Sequence, residues 1–126
     1  MKKVILIALI FGINFISLGQ ESNDIKSHDN ITYKLYPTEN MWTFIKLNTR
    51  NGIMWQVQFT TQNQNRFEQY LNISSLVNEE NEENGRFTLY PTQNMYNFML
   101  LDQIDGRVWQ VQWSIVEENK AILRIY

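Results

Sequence analysis

The chain has 126 residues, which is enough for one compact domain and too few for two domains with large separate cores. Its net charge of −2 disfavours nucleic acid as a partner, because nucleic-acid binding requires a basic face that releases counterions. The sequence contains no cysteine, so we expect no disulfide framework, no thiolate metal site and no lipidated cysteine.

The first 19 residues have the pattern of a secretory signal peptide. Basic Lys2 and Lys3 precede an apolar run over residues 4–15, and small residues Ser17 and Gly19 follow it. The run is shorter than the roughly 20 apolar residues that span a bilayer. We therefore expect cleavage after Gly19, export to the periplasm or the medium, and no membrane span afterwards. Residues 20–31 are polar and aperiodic, which predicts a flexible tail.

The rest of the chain is a tandem repeat. Residues 33–60 align with residues 87–114 without a gap, at an offset of 54, and 13 of the 28 aligned positions are identical. A fixed period of this length indicates a duplicated supersecondary unit. The sequence thus predicts a single β domain over residues 32–126, with repeat 1 (32–72) and repeat 2 (86–126) joined by an acidic linker (73–85).

Each repeat is predicted to be a four-stranded antiparallel meander. The first strand ends near Pro37 or Pro91, because proline removes a ladder donor. The next two strands form a hairpin whose loop begins after an Asx residue and ends at Gly52 or Gly106, a residue suited to the left-handed conformation. The predicted fold is all-β. The two meanders are expected to be related by a pseudo-twofold and to pack as a sandwich or partly open barrel.

The third strand of each repeat alternates aromatic or branched residues with glutamines, which predicts one buried face and one exposed face. The side chains expected in the core are Trp42, Phe44, Trp55, Val57, Phe59, Phe98, Trp109, Val111 and Trp113. The amides expected on the outward face, where they are candidate ligand-binding groups, are Gln56, Gln58, Gln110 and Gln112. The alternative interpretation of these amides is a solvated row without a ligand.

The second strand of each repeat is apolar on its other face as well, at Met41, Ile45 and Leu47 or at Met95, Met99 and Leu101. A strand that is apolar on both faces has to be covered on both. The linker residues Ile73, Leu76 and Val77 are expected to cover one copy, and a symmetry mate or a partner protein the other.

The inventory of reactive side chains is small. His28 lies in the polar tail, and Asp102 and Asp105 occupy positions where the other repeat has Asn48 and Asn51, so turn geometry is their expected role. The sequence predicts no catalytic residues, no metal and no cofactor. We expect a non-catalytic binding or protein-interaction module with a protein or glycan partner. The alternatives are a structural subunit, such as a homodimer, that completes its fold in an oligomer, and a carboxylate-based hydrolase.

The motif LYPTxNM followed by WQVQW or WQVQF resembles a family of small exported Bacteroidetes proteins built from this repeat, which implies the fold and export but no activity. The spacing from Asn48 or Asp102 through glycine to tryptophan is also similar to the quinoprotein-type propeller repeat. The chain departs from that repeat because the turn threonine is missing, the tryptophan arrives one residue early, and two units cannot close a propeller.

Overall fold

The structure, a computed structural model, describes residues 31–126, so the predicted signal peptide and nearly all of the predicted tail lie outside the described residues. The described residues contain eight β-strands. The first sheet consists of β1 (Tyr33–Pro37), β2 (Thr43–Asn48), β3 (Met54–Gln58) and β4 (Phe67–Asn72). The second sheet consists of β5 (Phe87–Pro91), β6 (Asn97–Asp102), β7 (Val108–Gln112) and β8 (Ala121–Ile125). Short 3₁₀ turns lie at Asn63–Asn65, Glu79–Asn81 and Glu117–Asn119.

Both sheets are antiparallel meanders in which each strand pairs with its neighbours in sequence. The prediction of an all-β fold with two four-stranded meanders is therefore confirmed. The sheets are not closed into a barrel; they are two open layers. Each repeat folds as one sheet because its strands are joined by short connections and carry alternating side chains.

The predicted hairpin register is confirmed in both repeats. The Asn48 amide donates to the Ile53 carbonyl (2.8 Å), and the Asp102 amide donates to the Arg107 carbonyl (2.9 Å), which closes four-residue loops. Gly52 and Gly106 end these loops with φ of +80° and +74°. A side chain at either position would be strained, since L-residues rarely adopt this conformation.

The two sheets stack front to back. We call the side of each sheet that carries Trp55 or Trp109 its front face, and the side that carries Gln56 or Gln110 its back face. The front face of the second sheet is buried through Phe87, Leu89, Phe98, Leu100, Trp109, Val111 and Trp113. The back face of the first sheet is buried through Thr43, Ile45, Leu47, Met54 and Gln56. The core thus lies between unlike faces of the two repeats.

This stacking corrects the predicted core. Trp109 is only 6% exposed and lies in the core, whereas its equivalent Trp55 is half-buried. Equivalent positions of the two repeats are therefore buried unequally. The predicted core residues Phe98, Trp109, Val111 and Trp113 are buried, but those of the first sheet are not: Trp42, Phe44, Trp55 and Val57 are half-buried and Phe59 is exposed.

Backbone contacts around the first hairpin loop tie the sheets together. The Thr49 carbonyl accepts from the Phe87 amide (2.8 Å), and the Thr49 hydroxyl accepts from the Gly85 amide (3.0 Å). The Thr49 amide donates to the Thr32 carbonyl (2.7 Å). Thr49 is fully buried. This residue joins the start of both sheets, so the orientation of the second sheet depends on the loop of the first.

The linker covers the edge of this junction. Leu76 and Val77 pack against the core, and the Leu76 amide donates to the Asn51 carbonyl (2.8 Å). Ile73, which was expected to take part, is 70% exposed instead. The acidic part is also anchored, because Glu82 accepts a hydrogen bond from the Asn51 side-chain amide (3.0 Å). The linker is thus part of the packed structure.

Candidate binding surface

The front face of the first sheet is a continuous aromatic surface that no part of residues 31–126 covers fully. Trp55 lies between Tyr33 and Tyr70, with ring centroids 6.0 and 5.4 Å away. The centroid of the Phe59 ring lies 5.1 Å from that of Trp42 and 6.1 Å from that of Phe44. Tyr33, Leu35, Phe59 and Tyr70 are all exposed, and Leu35 reaches 61%. A contiguous apolar patch of this kind is typical of an interaction site.

Two of the four ring contacts recur in the second sheet, where Phe87, Trp109 and Trp113 are buried and Tyr96 is exposed. Phe87 and Trp109 are 6.0 Å apart, as are Tyr33 and Trp55. The Tyr96–Trp113 distance is 5.0 Å, against 5.1 Å for its equivalent pair in the first sheet. The two front faces therefore share their local geometry and differ in whether another sheet lies on them.

An ion pair distinguishes the exposed front face from the buried one. Lys46 pairs with Glu68, and its ammonium lies 4.5 Å from the centroid of the Trp55 ring. The equivalent positions in the second sheet carry Leu100 and Ile122. A charged pair keeps its hydration on an open surface, whereas its burial would carry a desolvation cost. The first sheet is thus adapted to hold its rings near water.

A cleft of about 370 Å³ lies at one end of the first sheet and is lined by residues from both of its faces. Trp42, Phe59 and Phe67 supply apolar walls, and Gln58 contributes an amide. The Gln58 carbonyl oxygen is buried and has no hydrogen-bond partner within the described part of the chain. Aromatic rings beside an amide can contact a sugar or a peptide group, so the cleft adjoins the aromatic surface and adds a polar group from the back face.

The four glutamines predicted to share an outward face do not share one. Gln56 is fully buried between the sheets, and neither of its amide atoms has a hydrogen-bond partner among residues 31–126. Gln58 is half-buried on the same back face. Gln110 and Gln112 lie on the back face of the second sheet, where they donate to the Asn97 side-chain oxygen and the Asn119 carbonyl, both at 2.8 Å. The expectation of one exposed row failed because the stacking covers the back face of one repeat only.

A buried ionic cluster was missed by the sequence reasoning. Arg86 donates from Nε and Nη2 to the two carboxylate oxygens of Asp102, both at 3.0 Å, and also to Asp105 (2.7 Å). Arg107 donates to Asp102 from Nε (3.1 Å) and Nη2 (2.9 Å). Asp102 is fully buried. The alignment of the two repeats does mark this cluster, because its four charged residues stand where the first repeat has neutral ones: Thr32, Asn48, Asn51 and Ile53.

The charge state of this cluster favours a structural role. Burial alone would raise the pKa of Asp102, but hydrogen bonds from Arg86, the loop amides and Arg107 lower it to about 2. The hydrogen bond to Asp102 raises the pKa of Arg86. A carboxylate with so low a pKa is a poor proton donor or acceptor at neutral pH. The cluster therefore holds the second hairpin loop in place.

Comparisons with protein-family models, with curated proteins and with solved structures found no match. Within residues 31–126, no helix has the length and apolar character to cross a membrane. The same residues contain no group of three or more histidine, cysteine or acidic side chains placed to hold a metal ion.

Proposed function

We propose that the protein is an exported, non-catalytic interaction module whose binding surface is the front face of the first sheet. The observation that carries this proposal is the exposure of Tyr33, Leu35, Phe59 and Tyr70 on a face whose counterpart in the second sheet is core. Rings that are already packed against one another lose little conformational freedom on binding, so they are efficient contact groups.

Two further features support a binding role over catalysis. The ionic cluster engages Asp102 with arginines and lowers its pKa to about 2, which leaves this carboxylate poorly suited to acid or base chemistry at neutral pH. The N-terminal pattern of Lys2, Lys3 and residues 4–15, together with the resemblance to small exported Bacteroidetes proteins, supports export.

The proposal is tested by comparing partner capture by the wild-type protein and by Tyr70→Glu, a change at an exposed ring of the front face. The matched control is Ile115→Glu, which introduces the same charge at an exposed apolar residue outside both sheets. We expect Tyr70→Glu to lose the captured partner while Ile115→Glu retains it. Equal capture by both variants would contradict the assignment of the front face.

A further inference from the structure

Apart from Thr88, whose hydroxyl lies 3.3 Å from that of Tyr36, the back face of the second sheet is a second uncovered surface. Its composition is unusual for a surface that faces solvent. The ladders place eleven strand residues on this face, and none of them is charged: Thr88, Tyr90, Asn97, Met99, Leu101, Val108, Gln110, Gln112, Ala121, Leu123 and Ile125. Tyr90, Leu123 and Ile125 are exposed. An exposed sheet face normally carries charged residues that keep the protein soluble, so an uncharged one indicates a contact surface.

The two uncovered faces are the counterparts of the two faces that meet inside the molecule. The free back face repeats the buried back face of the first sheet, with Tyr90, Leu101 and Gln110 standing where Tyr36, Leu47 and Gln56 stand. The free front face likewise repeats the buried front face of the second sheet, down to the 6.0 Å spacing of its ring pair. Each molecule thus exposes one half of its own internal interface at either end.

We propose that a second copy of this chain is the partner, and that it lays the back face of its second sheet on the front face of the first sheet. This contact repeats between molecules the one that joins the two sheets within a molecule. It rests on the proposed function, since it names the occupant of the same surface. The contact is heterologous, because different patches meet. Successive copies therefore form an open row unless the rotation between copies closes a ring.

The Lys46–Glu68 pair sets the strength of this contact. In the internal interface the corresponding residues are Leu100, which is fully buried, and Ile122, which packs against the core. Covering the ion pair removes water from two charges, which opposes the gain from apolar burial. The contact between copies is therefore weaker than the internal one, and it is reversible.

The experiment measures sedimentation of the exported protein from micromolar to millimolar concentration. We expect the average mass to rise with concentration for the wild type. Tyr70→Glu blocks the front face and Leu123→Glu blocks the back face, and each should weaken association by about tenfold or more because an unpaired charge is buried. Ile115→Glu is the control and should associate like the wild type. Circular dichroism verifies that every variant is folded.

Mixing separates this arrangement from others. Tyr70→Glu retains an intact back face and Leu123→Glu retains an intact front face, so an equimolar mixture should form 1:1 dimers that grow no further. Association of Leu123→Glu alone, with no gain on mixing, would show front-to-front pairing and overturn the proposal. The double variant Lys46→Leu/Glu68→Ile is designed to strengthen the contact, because it gives the first sheet the residues of the second at these two positions. It should associate at least about tenfold more tightly than the wild type.

The outcomes also distinguish this inference from the proposed function. A wild-type protein and a Lys46→Leu/Glu68→Ile variant that are both monomeric at millimolar concentration would overturn self-association. The front face would then belong to a glycan or to an unrelated protein if Tyr70→Glu still abolishes partner capture. If Tyr70→Glu retains both partner capture and self-association, the front face is not a binding surface.

Discussion

The first and second sheets differ in surroundings far more than in sequence or local geometry. Their ring pairs have the same spacing to within 0.1 Å, yet Trp113 is buried while its equivalent Phe59 is 42% exposed. Their hairpin loops are closed by the same backbone hydrogen bonds, yet the first loop has asparagines where the second has the aspartates of a buried ionic cluster. The repeated sequence thus determines the shape of each sheet, whereas the stacking of the sheets determines which face of each is core.

The largest expected difference between the sheets is the cost of removing their equivalent tryptophans. Trp109→Ala should lower the free energy of unfolding by about 3–5 kcal/mol, because a buried ring is lost from the core. Trp55→Ala should cost about 1 kcal/mol, since that ring is already partly in water. Chemical denaturation of both variants measures the difference. Equal costs would mean that the front face of the first sheet is covered in solution.

The second difference is the ionic cluster. Asp102→Asn gives the second loop the residue of the first and leaves Arg86 and Arg107 without their shared carboxylate, so we expect a loss of about 3 kcal/mol. The quadruple variant Arg86→Thr, Asp102→Asn, Asp105→Asn, Arg107→Ile installs the complete neutral set of the first repeat at these positions. It should recover most of that loss, as measured by urea unfolding. Failure to recover would show that the two loops are not interchangeable.

The pH dependence of stability isolates Asp102. Its pKa falls from the ordinary value of 3.8 to about 2 on folding, so the carboxylate binds protons less readily in the native state. Its contribution of about 2 kcal/mol is therefore present above pH 4 and is lost as the pH falls toward 2. Unfolding measured between pH 5 and 2 should show this loss in the wild type. The quadruple neutral variant should lack this part of the slope.

The smallest expected difference concerns the equivalent glutamines Gln56 and Gln110. Gln56→Met should raise the free energy of unfolding by about 1 kcal/mol, because an unpaired amide leaves the interface between the sheets and apolar contacts replace it. Gln110→Met should change the free energy of unfolding by less than about 0.5 kcal/mol, since that amide is half-buried on the uncovered back face of the second sheet. Thermal unfolding of the two variants provides the measurement. Destabilisation by Gln56→Met would indicate that the buried amide is hydrogen-bonded after all.

Much of the fold could be predicted because it depends on local sequence. Asn48 and Gly52 define a loop length, and the loop length fixes the register that brings Phe44 opposite Val57. The same reasoning applies to Asp102 and Gly106 in the second repeat. Strand order followed from the short connections, which leave no room for a crossover.

The sequence could not reveal which face of each sheet is buried. Both faces of strand β2 are apolar, with Phe44 on one and Ile45 on the other, so alternation alone does not select the core side. Alternation and the hairpin register place the rings on one face, and that face is core in the second sheet only. The differences between the repeats carried the missing information, since Lys46 and Glu68 replace Leu100 and Ile122 on the face that stays open.

The sequential order of the strands has a consequence for folding kinetics. Every backbone ladder joins strands that are adjacent in the chain, so each sheet forms through closure of short loops and has a low contact order for a β protein. We expect the docking of the two sheets to be slower than the formation of either, because it requires Thr49 to reach Gly85 and Phe87 across the linker. Until the second sheet arrives, Ile45, Leu47 and Met54 remain uncovered, and this interval is when the chain is most prone to aggregate.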